Sequence, residues 1–208
     1  MKNERAMYAI SYGLFVLTAR QGERDNGCII NTVMQISSEP VLLTAAVSKN
    51  NLTHDLLLES KICAISVLSE EIPMDTIRRF GFQSGREADK FAAFAHKSAQ
   101  NGAPYIMQNI SAYFAGTVVN TVDAGTHTLF IIEVTEMDTL TEETPLTYAY
   151  YQSVKKGTSP KNAPTYQAET AQKGYRCSIC GYIAEVEELP ADFVCPVCKQ
   201  PREVFVKL

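Results

Sequence analysis

The chain has 208 residues, 46% of them apolar and 20% charged, with a formal net charge of −4. That balance supports a soluble globular protein. It contains no basic block that points to nucleic acid and no apolar run long enough to span a membrane, so neither partner is expected. The start, Met1-Lys2-Asn3-Glu4-Arg5, leads into no apolar signal segment, and six cysteines without a secretory segment place the expected compartment in the cytoplasm.

Taken in chain order, the larger part reads as mainly β. Tyr8 to Thr18, Cys28 to Ser37 and Val41 to Val47 are rich in β-branched and aromatic residues, and Glu39-Pro40 marks a turn between the last two. Leu52 to Glu59 follows Asn50-Asn51, good capping types, and predicts a short helix. Ile62 to Leu68 predicts another strand, and Met74 to Phe80 and Ala88 to His96 carry apolar residues at helical spacing. Tyr113 to Val122 and Thr126 to Met137, separated by Asp123-Ala-Gly125, predict a strand pair. Many strands with little helix suggest a barrel or sandwich. Tyr148, Tyr150 and Tyr151 read as packing residues, and Cys28 and Cys63 as ordinary core thiols.

No GxGxxG, Walker loop or nucleophile elbow is present, so a Rossmann domain is unsupported. Two polar stretches stand out instead: Asn31 to Pro40, and Ser48-Lys-Asn-Asn51-Leu-Thr53-His54 at a strand end and helix start. Polar side chains and free N–H groups beside a lysine suit a phosphate. The same residue types also serve as plain helix caps. His127 opens a strand, where a barrel-rim residue is the simpler reading; His54 reads as a cap or a solvent-facing group, and His96 as a surface residue near a helix end.

Lys155 to Tyr166 and then Gln167 to Gly174 are dominated by proline, glycine and small polar residues and read as a tether, with its mobile section at 167–174. Beyond it come Cys177-Ser-Ile-Cys180 and Cys195-Pro-Val-Cys198, separated by 14 residues. Two CxxC pairs at such spacing bring four thiolates to one tetrahedral metal site. Ligand type alone leaves iron and zinc both open. So short a segment builds little core without a metal, which makes the chain two domains.

Residues 174 to 208 closely resemble a rubredoxin domain of the short type found in rubrerythrins, on Tyr175-Arg-Cys-Ser-Ile-Cys-Gly-Tyr182, Leu189 to Cys198, Pro201 and Phe205. The resemblance implies one iron held by Cys177, Cys180, Cys195 and Cys198, shielded by Tyr175, Tyr182, Phe193 and Phe205, and used for one-electron transfer. Lys199 departs from the glycine usual after the second knuckle, and a structural zinc ribbon is the alternative. Residues 5 to 166 resemble flavin reductase-like proteins with an FMN-binding split β-barrel, on the two polar stretches above, Phe82-Gln-Ser-Gly-Arg86 with Asp89-Lys-Phe91, Thr126 to Phe130 with Glu133-Val134, and Pro160 to Pro164. By residue, the resemblance implies that Asn31, Thr32, Gln35 and Ser37 line the isoalloxazine or ribityl, that Ser48, Lys49, Asn50, Asn51 and Thr53 hold the phosphate, and that His127 lies near the flavin or nicotinamide. Ile132 stands where the family often has glycine.

The expected organisation is therefore a flavin reductase-like domain at 1–166, a linker at 167–174 and a rubredoxin-like domain at 175–208. The whole is similar to high-molecular-weight rubredoxins. That likeness implies NADH or NADPH as co-substrate, FMN and iron as cofactors, a homodimer, and a redox-protein acceptor such as a flavodiiron oxygen or nitric oxide reductase. Two alternatives stand beside it: a flavin reductase that releases reduced flavin and carries a zinc tail, and a non-catalytic flavin-binding redox carrier.

Overall fold

The computed structural model describes residues 4–159, 174–178, 182–184, 186–196 and 199–207. The chain divides into two compact units, Met1–Thr165 and Tyr166–Leu208. The predicted tether at 167–174 lies outside the described residues apart from Gly174, as does the Pro160 to Pro164 segment.

In the larger unit a 3-10 turn over Glu4–Ala9 leads to β1 (Phe15–Gln21), β2 (Arg24–Ile30), β3 (Val33–Ser38), β4 (Val41–Ser48), α1 (Leu52–Ser60) and β5 (Ile62–Leu68). Next come α2 (Met74–Gly81), β6 (His96–Ser98), β7 (Pro104–Ile106), β8 (Ile110–Ala124), β9 (His127–Thr139) and α3 (Tyr148–Ser153). Seven strands form one antiparallel sheet in the order β2-β1-β5-β8-β9-β4-β3, with β6 and β7 as a separate pair.

Strand periodicity sorts the apolar side chains onto two faces, and both are covered. On β1, Val16 joins one cluster while Leu17 and Ala19 join the other; on β5, Ala64 and Leu68 separate from Cys63 and Ile65 in the same way. The inner cluster is closed by Leu52, Leu56 and Leu57 of α1, which stoppers the curled sheet. The outer cluster is covered by Ile77 and Phe80 of α2, by Phe91 to Ile106 and by Tyr148 and Tyr151 of α3. A mainly β split barrel with short helices is thus borne out.

Three local expectations are corrected. The first strand begins at Phe15 rather than Tyr8, because the chain before it pairs with the segment leading into α3: Gly13 bridges Thr147 and the Leu14 N–H donates to the Leu146 carbonyl. The run Cys28 to Ser37 is broken at Asn31-Thr32 into β2 and β3, which occupy opposite edges of the sheet. Ala88 to His96 is no helix. Its periodic apolar residues are spent on turns that place Phe91 and Phe94 edge-on against Phe80, at 5.4 and 5.1 Å, with the Asp89 carboxylate accepting from the Phe91 N–H. His96 accordingly opens β6 instead of ending a helix.

The smaller unit contains β10 (Tyr175–Cys177), β11 (Ile183–Ala184), a 3-10 turn over Arg202–Val204 and β12 (Phe205–Lys207), in sheet order β11-β10-β12. Phe193 and Phe205 meet edge to face at 5.2 Å. Its buried described side chains are Cys177, Ala184, Leu189 and Cys195.

Candidate functional site

A cleft of about 730 Å³, counted to its open mouth, lies where β2 ends, against α2 and the start of β9. Cys28, Ile30, Ile77 and Phe80 make it apolar in depth, while Asn31, Ser48, Asn51 and His127 supply polar groups. Strand pairing sets this: Ser48 at the end of β4 lies opposite His127 at the start of β9. On a further side Tyr148 and Tyr151 of α3 hold residues 157–159 at the cleft. The Tyr151 hydroxyl donates to the Thr158 carbonyl at 2.9 Å, Tyr148 contacts Ser159, and Gly157 lies so close to the Tyr151 ring that a Cβ would fall 2.0 Å from it.

The cleft continues into a polar pocket at the N-terminus of α1, lined by Asn26, Asn50, Asn51, Thr53, Ser84, Gly85 and Lys90. Lys90 is only 4% exposed, and its Nζ donates to the carbonyls of Gly27 at 2.9 Å and Phe80 at 3.1 Å. Burial lowers its pKa, with the Cys28 sulfur opposing that shift. Burial in turn pushes the Cys28 thiol up against the pull of Lys90, Thr53 and Asn51, so it stays a neutral thiol. The Thr53 hydroxyl donates to Asn26 Oδ1 at 2.9 Å, and Gly85 lies on that amide so tightly that a Cβ would sit 2.2 Å from Asn26 Nδ2. A buried cation beside a helix start that has no side-chain cap suits an anion.

Of the residues expected to serve a flavin, Asn31, Ser48, Asn51 and His127 line the cleft, and Asn50, Asn51 and Thr53 line the polar pocket. Thr32, Gln35, Ser37 and Lys49 line neither. The Thr32 hydroxyl bonds the Ala46 carbonyl, Gln35 on edge strand β3 turns back to the Ser37 carbonyl, and Lys49 pairs with both carboxylate oxygens of Asp123 at 2.9 Å. The sequence offers Ser84-Gly85-Arg86 with Lys90 either for phosphate or nicotinamide recognition or as a solvated turn, and Ser84, Gly85 and Lys90 line the polar pocket; the α3 tyrosines read only as packing residues. Lysines are mostly exposed, so composition alone does not flag a buried one; the signal available was Asp89-Lys90-Phe91 following Ser84-Gly85.

His127 Nδ1 lies 2.8 Å from Thr126 Oγ1. Burial lowers its pKa and the nearby His54 lowers it further, which favours a neutral imidazole at neutral pH. His54 is neither a cap nor solvent-facing. It is 5% exposed, with its Nε2 2.8 Å from Thr128 Oγ1.

In the smaller unit Cys177 and Cys195 are 1% and 0% exposed. The Cys177 N–H donates to the Tyr182 carbonyl and the Cys195 N–H to the Gln200 carbonyl, both at 2.8 Å, and the Lys199 N–H donates to the Cys195 carbonyl at 2.9 Å. Lys199 takes the left-handed φ of 58° that glycine would adopt more readily, so this turn is made despite the substitution. Cys180 and Cys198 lie outside the described residues. The residues present fit both cofactors: an apolar cleft running into a seat with a buried lysine suits a flavin phosphate, and soft sulfur donors on paired knuckles suit iron.

Residues 7–158 match the flavin reductase like domain. The chain belongs to that family. Residues 175–206 match the rubrerythrin rubredoxin-like domain. The chain is 38% identical to a high molecular weight rubredoxin of Moorella thermoacetica, over 98% of this chain and 99% of that protein. It is 40% identical to an NAD(P)H ferric-chelate reductase of Archaeoglobus fulgidus, over 77% of this chain and 95% of that protein. Among solved structures, the flavin reductase PheA2 in its native state is 28% identical, with a TM-score of 0.59 covering 70% of this chain and 93% of the other. An FMN-binding protein of Thermus thermophilus with bound 1-cyclohex-2-enone is 25% identical, with a TM-score of 0.60 covering 66% of this chain and 76% of the other. The expected NAD(P)H-dependent oxidoreductase is borne out, as are FMN and iron as cofactors and electron transfer by way of flavin. Among the described residues no helix is long and apolar enough to cross a membrane.

Proposed function

We propose that this protein moves electrons from NADH or NADPH, through FMN in the barrel unit, to an iron held by Cys177, Cys180, Cys195 and Cys198, and on to a redox-protein acceptor such as a flavodiiron oxygen or nitric oxide reductase. The observation that carries the reading is an apolar cleft running into a buried-lysine anion seat, on one chain with two CxxC knuckles. When bound, FMN supplies acceptance of a hydride and release of single electrons, and the iron supplies one-electron transfer.

The chain's own residues bind and orient. Lys90 would neutralise the phosphate, and Asn50, Asn51 and Thr53 would present the start of α1 to it. Asn31 and Ser48 would hold the isoalloxazine, and the neutral His127 would offer a hydrogen bond to the nicotinamide. The tyrosine-held 157–159 segment excludes water from one side of the cleft. No acid, base or nucleophile of the protein is needed for hydride delivery.

A homodimer through β3 belongs to this reading. Met34 and Ile36 on that edge strand are 62% and 45% exposed, and a subunit contact there would give Thr32, Gln35 and Ser37 a role that the cleft of a single chain does not. The cytoplasm is the proposed compartment, because free thiolate ligands persist there. The relative named ferric-chelate reductase favours a second reading, in which the barrel unit also reduces a small ferric complex directly.

Exchange of Cys195 for serine in the full chain separates the roles. Reduction of free dyes by NADH should persist while reduction of the protein acceptor disappears; equal loss of both would sink the assignment of separate roles to flavin and iron.

A further inference from the structure

His54 is spent on something other than packing. It sits on the first turn of α1, almost fully buried, with both ring nitrogens engaged: Nε2 is 2.8 Å from Thr128 Oγ1 and Nδ1 is 3.1 Å from Asp55 Oδ1. The second Asp55 oxygen accepts from the Arg86 guanidinium at 2.6 Å. A leucine in this place would seal the barrel without the cost of burying an imidazole. Instead a four-residue chain, Arg86–Asp55–His54–Thr128, runs from the loop after α2 across α1 to β9. Both of its ends adjoin the cleft: Phe82 and Gln83 precede Arg86, and His127 precedes Thr128.

We propose that His54 is a positioning residue for the nicotinamide step, holding the start of β9 so that it sets the orientation and the basicity of His127, and tying that rim to the loop on another wall of the cleft. The inference rests on the reading that His127 faces the nicotinamide.

The chemistry follows from the hydrogen-bond roles. With its Nδ1 proton donated to the Asp55 carboxylate, neutral His54 accepts the Thr128 hydroxyl proton at Nε2, whereas charged His54 donates there and turns that hydroxyl around. A charge on His54 also opposes a charge on His127, consistent with the lowered basicity of His127, for which burial is the larger cause. Asp55 is held below the usual carboxylate range: burial pushes it up, and the bonds from His54 and Arg86 outweigh that. Around His127 stand Thr126, whose hydroxyl is 2.8 Å from Nδ1, Lys90, Tyr148 and Tyr151, which line the same cleft, and the Lys49–Asp123 pair at the turn that precedes it. A change in His54 leaves all of these in place.

The test compares the FMN- and iron-loaded full chain with His54→Asn, which keeps a polar group beside Thr128 and removes the imidazole. The chain has three histidines, so proton NMR follows His127 through a pH titration, and anaerobic stopped-flow reads the pH dependence of FMN bleaching by NADH. The expected result is a higher His127 midpoint in the variant, with the acid limb of the rate profile moving in the same direction. An unchanged midpoint in a variant that retains FMN overturns the proposal. A raised midpoint with an unmoved rate profile leaves the coupling standing and removes His127 from the nicotinamide step instead. Should the asparagine variant lose FMN, His54→Gln, with its longer amide, is read by the same criteria.

Discussion

The two units solve the problem of burying a redox group in opposite ways. The barrel unit has two apolar clusters, one inside the curled sheet and one outside it, and its cleft is lined by residues already fixed by strand register and by buried hydrogen bonds. The small unit buries four described side chains, two of which are the cysteines that would hold its metal. In the barrel the fold alone makes the cleft proposed to take the flavin. In the knuckle unit the metal is a large part of the fold, because about 35 residues cannot gather enough apolar area to offset the entropy of ordering the chain.

The largest expected effect breaks that contrast directly. Chelating the metal, or replacing Cys195 with serine, should unfold the knuckle unit and abolish electron delivery to a protein acceptor, while the barrel melts at its usual temperature and still binds FMN. Calorimetry on the full chain reads this as loss of one transition; a common shift of both would mean the units are not independent in stability.

A smaller effect is expected in the barrel from Lys90→Met. Two buried carbonyls lose their donor and the anion seat loses its cation, so FMN affinity should fall about 10- to 100-fold, the equivalent of about 1.5–3 kcal/mol for a charged hydrogen bond. Fluorescence titration of the apoprotein checks it, and an unchanged Kd would remove Lys90 from the phosphate seat.

Lys199→Gly sharpens the comparison from the other side. Lys199 carries a left-handed φ of 58°, so glycine there should stabilise the knuckle unit by about 1 kcal/mol and leave the barrel untouched. A knuckle transition that fails to rise would show that the lysine side chain offsets the strain of its backbone.

The smallest effect is in pH. His127 has a folded pKa below its ordinary 6.5, so the unfolded chain binds more protons in the window just below that value. Barrel stability should therefore decline slightly as pH falls through 6.5 and level off below the folded pKa. His127→Gln should flatten that part of the Tm-against-pH curve; an unaltered slope would assign it to another group.

What was legible in the sequence differs between the units for a physical reason. Metal ligation demands fixed spacing along the chain, so Cys177, Cys180, Cys195 and Cys198 announce themselves locally. The flavin cleft is assembled by contacts between distant segments. Asn31, Ser48 and Asn51 were accessible because they sit at strand and helix ends, where turn chemistry is readable. Lys90 was legible as a candidate beside Ser84-Gly85-Arg86 but its burial was not, and the role of His54 was not legible at all: Lys90 is recruited by carbonyls 63 and 10 residues away, and His54 by Thr128, 74 residues away. The false helix at Ala88 to His96 has the same origin. Its apolar spacing is real, but it serves aromatic contacts with Phe80 made by turns.

The central claim, that electrons pass through flavin to iron, is tested most directly by the visible spectrum of the purified full chain before and after anaerobic addition of NADH. The account predicts overlapping flavin and ferric-thiolate bands that both bleach. A flavin band that bleaches while the thiolate band persists, or a protein with flavin and zinc alone, would contradict it.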